Sequence, residues 1–252
     1  MGQVPAATRA LRVLRFLASQ ADPATLQAIA AAVGLPRSTA YHLLGVMVEE
    51  GFVVHLQEEH RYGLGVAAFE VGSGYARQAP LQRIARRPLA TLVDEVGQSA
   101  HLAVLHGRDV LYVLEERAPG RPPLVTDVGV RLPAHLTASG RAILAALPAS
   151  QVRALYPDRS AFVDRHGIGP ATPSALRSLL AETRQRGYAL EDGEVTPGFS
   201  SVAAVVLDHT GHPAAGVAVT FPSDDPPNLP TAIAATRRTA ERLTTRIGGR
   251  AT

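Results

Sequence analysis

The sequence predicts an α+β chain of two domains, an N-terminal winged helix-turn-helix followed by a larger domain of helices and strands. Three observations carry this expectation. Leu26–Gly51 reads as two short helices around a tight turn. Two short β patterns, Phe52–His55 and Arg61–Leu64, follow it directly. From Leu81 onward helical and alternating patterns succeed one another, ending in a long hairpin over Ser201–Phe221 and a closing helix.

The first helix is expected over Thr8–Ser19. Leu11, Leu14 and Ala18, with Val13 and Leu17, give it an apolar face, while Arg9, Arg12 and Arg15 recur on the other side. Asp22-Pro23 breaks the pattern. Thr25 caps a second helix that runs to Val33. Gly34 supplies the turn because it tolerates left-handed backbone angles, and Pro36 suits the start of a helix, where its missing N–H costs nothing. The third helix runs from Arg37 to Glu50, with Ala40, Leu43, Leu44, Met47 and Val48 as its buried face. Gly51 ends it. The two strands after it, joined by Leu56–His60, complete the wing. Val66–Ala76 reads as a connecting helix, with the domain boundary at Ala79-Pro80. The expected organisation is therefore residues 1–65 as the winged helix-turn-helix domain, 66–79 as a linker helix and 80–252 as a second domain.

In that second domain a helix is expected over Leu81–Val96, then strands Ala100–Leu105 and Asp109–Glu115 about the turn His106-Gly107. A loop follows at Pro119–Pro123, then helices Ser139–Leu147 and Ser174–Arg186. Strands Tyr188–Glu191, Ser201–Leu207 and Ala214–Phe221 come next, and Leu229–Ile247 forms the closing helix. Gly248–Thr252 is expected to be loose. If the hairpin turn centres on Thr210-Gly211, Ser201 faces Thr220 and Ala203 faces Ala218. Side chains alternate across a strand, so these four share one sheet face, small and hydroxyl-bearing, with room for a ligand. Val202, Val219, Ala204 and Val217 occupy the opposite face, suited to packing on helices.

Composition narrows the function classes. The chain has 252 residues, 46% hydrophobic and 19% charged, in the range of globular proteins. It contains no cysteine, which excludes disulfides, thiolate metal sites and cysteine nucleophiles. No apolar run approaches the ~18 residues of a membrane span, and Arg9, Arg12 and Arg15 interrupt any secretory pattern. A cytoplasmic location with no membrane partner is expected. All 25 basic residues are arginine and the formal net charge is +3. Residues 1–78 nevertheless balance six arginines against six acids, so any DNA-binding field must come from local placement.

Enzyme signatures are missing. Gly198-Phe199-Ser200-Ser201-Val202 lacks the second glycine of a nucleophile elbow, no H-E-x-x-H spacing occurs, and a chain without lysine has no P-loop lysine. His209-Thr210-Gly211-His212 reads as a solvated turn rather than a metal pair. No catalytic residue, metal or cofactor is expected. Nucleic-acid signals are stronger. On the third helix Arg37, Ser38, Thr39, Tyr41 and His42 escape the apolar stripe, at the end that a helix-turn-helix pushes into the major groove. Arg37 can chelate a guanine, the hydroxyls can reach phosphates or base edges, and Arg61 on the wing is a candidate phosphate contact. The plainer alternatives are that Ser38 and Thr39 only stabilise a helix start and that Arg61 is a solvated charge.

The order of motifs resembles the IclR family of bacterial transcriptional regulators. In the first domain the resemblance rests on AIAAAVGLPRSTAYHLLGVMVEEGFV and the wing ending RYGLG. In the second it rests on HLTASGRAILA and GYALEDGEVTPGFSSVAAVVLDHTG. It implies a linker helix between a winged helix and a GAF-like domain with a curved antiparallel sheet, and promoter binding as a homodimer or homotetramer. It also implies modulation by a small organic acid or aromatic effector. Carried over position by position, the effector site falls on Leu132, Ala138, Ser139, Glu191, Phe199, Ser201, Ala218 and Thr220. His42 stands where the family commonly has a basic residue, Ser201 where many members have Cys, and Glu191 where Asp is usual. Ser139 reads either as pocket lining or as a simple helix cap, and Phe199 either as pocket wall or as core. A second domain serving only assembly would instead have its pocket filled by native side chains.

Overall fold

The computed structural model describes residues 4–78, 80–121, 124 and 126–249. The expected boundary residue Ala79, part of the 119–123 loop and the last three residues lie outside them. The chain divides into two compact units, Met1–Ala79 and Pro80–Thr252.

In the first unit α1 (Pro5–Ala18), α2 (Leu26–Val33) and α3 (Arg37–Glu49) pack around a core of Val13, Leu17, Ile29, Val33, Leu44 and Met47. Thr25 Oγ1 accepts the Ala28 N–H and so caps α2. Gly34 adopts φ +69°, and the Leu35 N–H returns to the Ala30 carbonyl at 2.9 Å. That 6→1 bond closes a Schellman turn and sets the angle between α2 and α3. The wing is β2 (Val53–Leu56) paired antiparallel with β3 (Arg61–Leu64). A third strand, β1 (Ala24–Thr25), joins the other side of β3. Two residues carry too little periodicity to announce it. One expectation is corrected: Val48 is 36% exposed rather than buried, because the stripe facing α1 and α2 is Ala40, Leu44 and Met47 and Val48 lies on its rim. Helix α4 (Val66–Gln78) follows.

The second unit is a six-stranded antiparallel sheet in the order β6-β5-β4-β9-β8-β7. These strands are β4 (Ser99–His106), β5 (Asp109–Glu116), β6 (Arg131–Pro133), β7 (Ala189–Asp192), β8 (Phe199–Leu207) and β9 (Pro213–Pro222). The β8–β9 register pairs Ser201 with Thr220, Val202 with Val219, Ala203 with Ala218 and Ala204 with Val217, as the hairpin reading expected. Val202, Val217 and Val219 pack against α5 (Pro80–Val96) through Leu89, Leu92 and Val93, and against α9 (Leu229–Arg246) through Ala232, Ala235 and Leu243. The opposite face meets α6 (Ala138–Ala146). There Ala189, Ala203 and Ala218 touch Ala138 and Ala142. Small side chains on both surfaces bring helix and sheet close together. Helices α7 (Ala149–Leu155) and α8 (Pro173–Arg186) cover Ile143 and Leu144 of α6.

Candidate functional site

Two places concentrate the residues singled out by the sequence. In the first unit, Arg37, Ser38, Tyr41 and His42 of α3 line one open groove with Thr25, Leu26 and Gln27 of the α2 start and His55, His60 and Tyr62 of the wing. Thr39 is exposed beside them. The pattern follows from the helix: once Ala40, Leu44 and Met47 are committed to the core, residues 37–39, 41 and 42 must face outward. Pro36 removes one free N–H at the start of α3, and the remaining unpaired N–H groups there suit an anion. The His55 and Tyr62 rings stack at 4.4 Å with an 11° interplanar angle, which stiffens the wing. Arg61 lies at the far side of β3, where its guanidinium donates to the Pro23 carbonyl at 2.7 Å. It ties the wing to the loop before α2 and does not line the groove.

In the second unit a cavity of about 60 Å³ opens between the start of α6 and the sheet. A single buried water needs roughly 10–15 Å³ on the same measure, so the space takes several waters or one compact organic molecule. Ala138 and Ser139 of α6, Glu191 of β7, Phe199 and Ser201 of β8, and Ala218 and Thr220 of β9 line it. Leu132 does not. It sits on β6, 4% exposed, packed with Val110, Tyr112 and Leu136. Its side chain is spent on the core, and the site reaches β5 through Tyr112 instead.

Cross-strand pairing explains the assembly. Glu191 pairs with Ser201, Ser201 with Thr220, and Thr220 with Ser99, so one row of the sheet carries an acid and three hydroxyls. The next row is Ala189, Ala203, Ala218 and His101, and its alanines are where α6 rests. The small face thus divides: its alanine row receives the helix, and Glu191, Ser201 and Thr220 of the other row line the cavity, while the Ser99 hydroxyl accepts the Ala118 N–H at 3.2 Å. Ser201 Oγ and Thr220 Oγ1 lie 2.9 Å apart.

Two glycines let α6 come this near. A Cβ on Gly140 would fall 2.2 Å from the Ala134 carbonyl oxygen, and one on Gly216 would fall 2.8 Å from the Ser139 carbonyl oxygen. Thr137 caps the helix, its hydroxyl accepting the Gly140 N–H at 3.0 Å. Ser139 is therefore not the cap. Its hydroxyl is 1% exposed and has no hydrogen-bond partner among the described residues. Ser139 acts on the Tyr112 phenol and eases it toward ionisation, at a geometry short of a full hydrogen bond. Burial, with Glu191 nearby, still keeps that phenol well above its ordinary range.

Arg141, which the sequence reading passed over, fixes the frame. It is 2% exposed, and Nε donates to the His135 carbonyl at 2.9 Å, Nη1 to the Leu190 carbonyl at 2.7 Å and Nη2 to Glu194 at 2.8 Å. One side chain thereby joins α6, the loop before it, β7 and the turn after β7. Glu191 accepts the Val195 N–H at 3.1 Å. Burial pushes its carboxyl up to about 7. Glu194 adds to the effect, while the Val195 N–H, Ser201 and Arg141 oppose it.

Known proteins share this architecture. A family model described as the IclR helix-turn-helix domain matches residues 6–57, and one described as the bacterial transcriptional regulator IclR C-terminal region matches residues 73–242. The chain belongs to the IclR family. Transcriptional repressor IclR of Escherichia coli is 31% identical over 223 residues, covering 88% of this chain and 81% of that protein. The glycerol operon regulatory protein of Streptomyces coelicolor is 34% identical over 84% of this chain and 82% of its own. Among solved structures, an IclR-type regulator from Alicyclobacillus acidocaldarius superposes with TM-score 0.84 at 26% identity, covering 98% of this chain and 100% of that one. An IclR homolog from Microbacterium hydrocarbonoxydans, solved in complex with 4-hydroxybenzoate, gives TM-score 0.79 at 25% identity, with 96% and 98% covered.

This IclR-family chain is thus a transcriptional regulator with a helix-turn-helix DNA-binding domain, and its relatives are named as regulators and repressors. No helix among the described residues is long and apolar enough to cross a membrane. The histidines of the 209–212 turn take part in an Asp208-centred turn, in which Oδ1 accepts the Thr210 and His212 N–H groups. Sequence reasoning missed Tyr112, Leu124, Thr126, Thr137, Val195 and Thr196 in the cavity lining. Tyr112 was within reach of the strand alternation. The others sit in loops, where no period exists to reveal direction.

Proposed function

We propose that the regulator reads duplex DNA with the start of α3, Arg37, Ser38, Thr39, Tyr41 and His42 facing the major groove and Arg61 supporting the wing near the phosphate backbone. The second unit takes a small organic acid or aromatic effector in the cavity between α6 and the sheet. The observation that carries the effector reading is the Ser139 hydroxyl, buried without a partner on the wall of a cavity that combines hydroxyls such as Ser201 and Thr220 with apolar side chains such as Phe199 and Ala218. An orphaned buried hydroxyl costs on the order of 1–3 kcal/mol, a cost that a bound polar ligand removes. A related IclR homolog solved with 4-hydroxybenzoate supports the same class.

The working form is a homodimer or homotetramer in the cytoplasm. Val66, Phe69 and Val71 on α4 are 72%, 74% and 62% exposed, a density of open apolar side chains that suits contact with another copy. Effector binding then shifts the population between arrangements of two DNA-binding units. The test is fluorescence anisotropy of the full chain on duplexes from its own upstream region, with and without 4-hydroxybenzoate, benzoate or pyruvate. Reciprocal coupling requires the duplex to change the acid's affinity by the same factor that the acid changes the duplex's. Identical DNA affinity across the set, in a protein that calorimetry shows to bind the acids, would rule out direct coupling.

A further inference from the structure

No basic side chain is among the described residues lining the cavity, and its one carboxyl is Glu191, 5% exposed. The Arg141 guanidinium near it is spent on the His135 and Leu190 carbonyls and on Glu194. The groups acting on Glu191 are Glu194 from the turn after β7, which favours its protonated form, and the Val195 N–H, Ser201 of β8 and Arg141 of α6, which oppose that. Tyr112 of β5 feels the Glu191 charge in turn. An anionic ligand therefore meets a buried acid and no free cation. Its one attractive corner is the start of α6, where the Ser139 hydroxyl has no partner and first-turn N–H groups lack intrahelical acceptors.

We propose that a monocarboxylate binds with its carboxylate at the start of α6 and that Glu191 takes up one proton from solvent as it does so. The inference rests on the reading of this cavity as the effector site. In the bound state Glu191 is a neutral carboxylic acid and donates its O–H to the ligand, which stays an anion. One proton leaves the buffer, one O–H bond forms on Glu191, and the complex carries a single negative charge where there would have been two. Two carboxyl groups confined to one site share a proton for this reason. Burial has already raised Glu191 to about 7, so the proton is available near neutrality. Because only the protonated form accepts the anion, apparent affinity falls about tenfold from pH 6 to pH 8, and uptake approaches one proton per site at the upper end.

Isothermal titration calorimetry of the full chain with benzoate, 4-hydroxybenzoate and pyruvate, at pH 6, 7 and 8 in two buffers of different ionisation enthalpy, tests this. The expected result is about tenfold weaker binding at pH 8 than at pH 6, with a buffer-dependent heat that reports proton uptake. Glu191→Gln is expected to keep binding and to lose both dependences. Wild-type affinity that is flat with pH and free of buffer dependence would overturn the proton step, as would failure of every acid to bind at pH 6. Ala218→Leu, which fills the cavity, separates the two levels. If the acids still bind this variant, the cavity is not the effector site; if they no longer bind it while the wild type shows no uptake, only the proton step falls. Should Glu191→Gln fail to fold, the wild-type pH and buffer series decides alone.

Discussion

Arg141→Met removes the one cation that joins α6, β7 and the turn beyond it. The side chain is 3% exposed and its Glu194 partner 14%, so solvent screens the pair little. The substitution keeps most of the aliphatic stem and deletes three donors, leaving Glu194 and the carbonyls of His135 and Leu190 without them. Losing one partner of a buried ion pair costs about 3–5 kcal/mol. The two carbonyls do not add their full value, because they belong to the same network and relax together. The expected loss is therefore about 3–5 kcal/mol in the second unit, or roughly 6–20 °C in melting temperature for a domain of this size. Urea unfolding followed by far-ultraviolet circular dichroism, fitted separately for the two units, measures it. A change within about 0.5 kcal/mol, the range of an ordinary surface substitution, would refute the view that Arg141 holds the cavity wall in place.

Three further outcomes follow from the same geometry. Gly216→Ala places a Cβ 2.8 Å from the Ser139 carbonyl oxygen, so α6 must lift; we expect a loss of about 1–3 kcal/mol and weaker binding of the cavity ligand, read by thermal shift and calorimetry. Glu191 is raised from 4.5 to about 7 in the folded state. The native form then holds the extra proton, and stability contributed below pH 4.5 drains away as pH rises to 7. Glu191→Gln should therefore gain up to about 3 kcal/mol over wild type above pH 7 and little below pH 4.5, as urea titrations across pH will record. Arg61→Ala should loosen the wing by about 1 kcal/mol through the lost Pro23 hydrogen bond; an accompanying drop of about one in the salt dependence of DNA binding would add a phosphate contact.

The reach of the sequence is explained by where periodicity exists. The β8–β9 register was legible because the turn centre and strict alternation fix the pairs from Ser201–Thr220 to Val206–Ala215; next to the turn a bulge pairs Leu207 with Pro213, which alternation does not reveal. The exposed end of α3 was legible because an apolar stripe defines its own complement. Strand β1 and helix α7 were not, being too short to show a period. Leu132 and Tyr112 show the limit at the site itself. Family position placed Leu132 in the pocket, yet the packing of β6 turns it into the core and Tyr112 of the neighbouring strand takes the wall. Arg141 was hidden for another reason. Its importance depends on three acceptors far apart in the chain, which only the folded backbone brings to one guanidinium.

The DNA reading is tested most directly by measuring wild type and Arg37→Ala on a duplex selected by the protein and on a scrambled duplex of equal length, at one fixed salt concentration. A bidentate arginine–guanine contact is worth about 1–3 kcal/mol of discrimination. Arg37→Ala is expected to lose roughly tenfold to a hundredfold in affinity on the selected duplex and to change little on the scrambled one. Equal losses on both, or none on either, would contradict base reading from the start of α3.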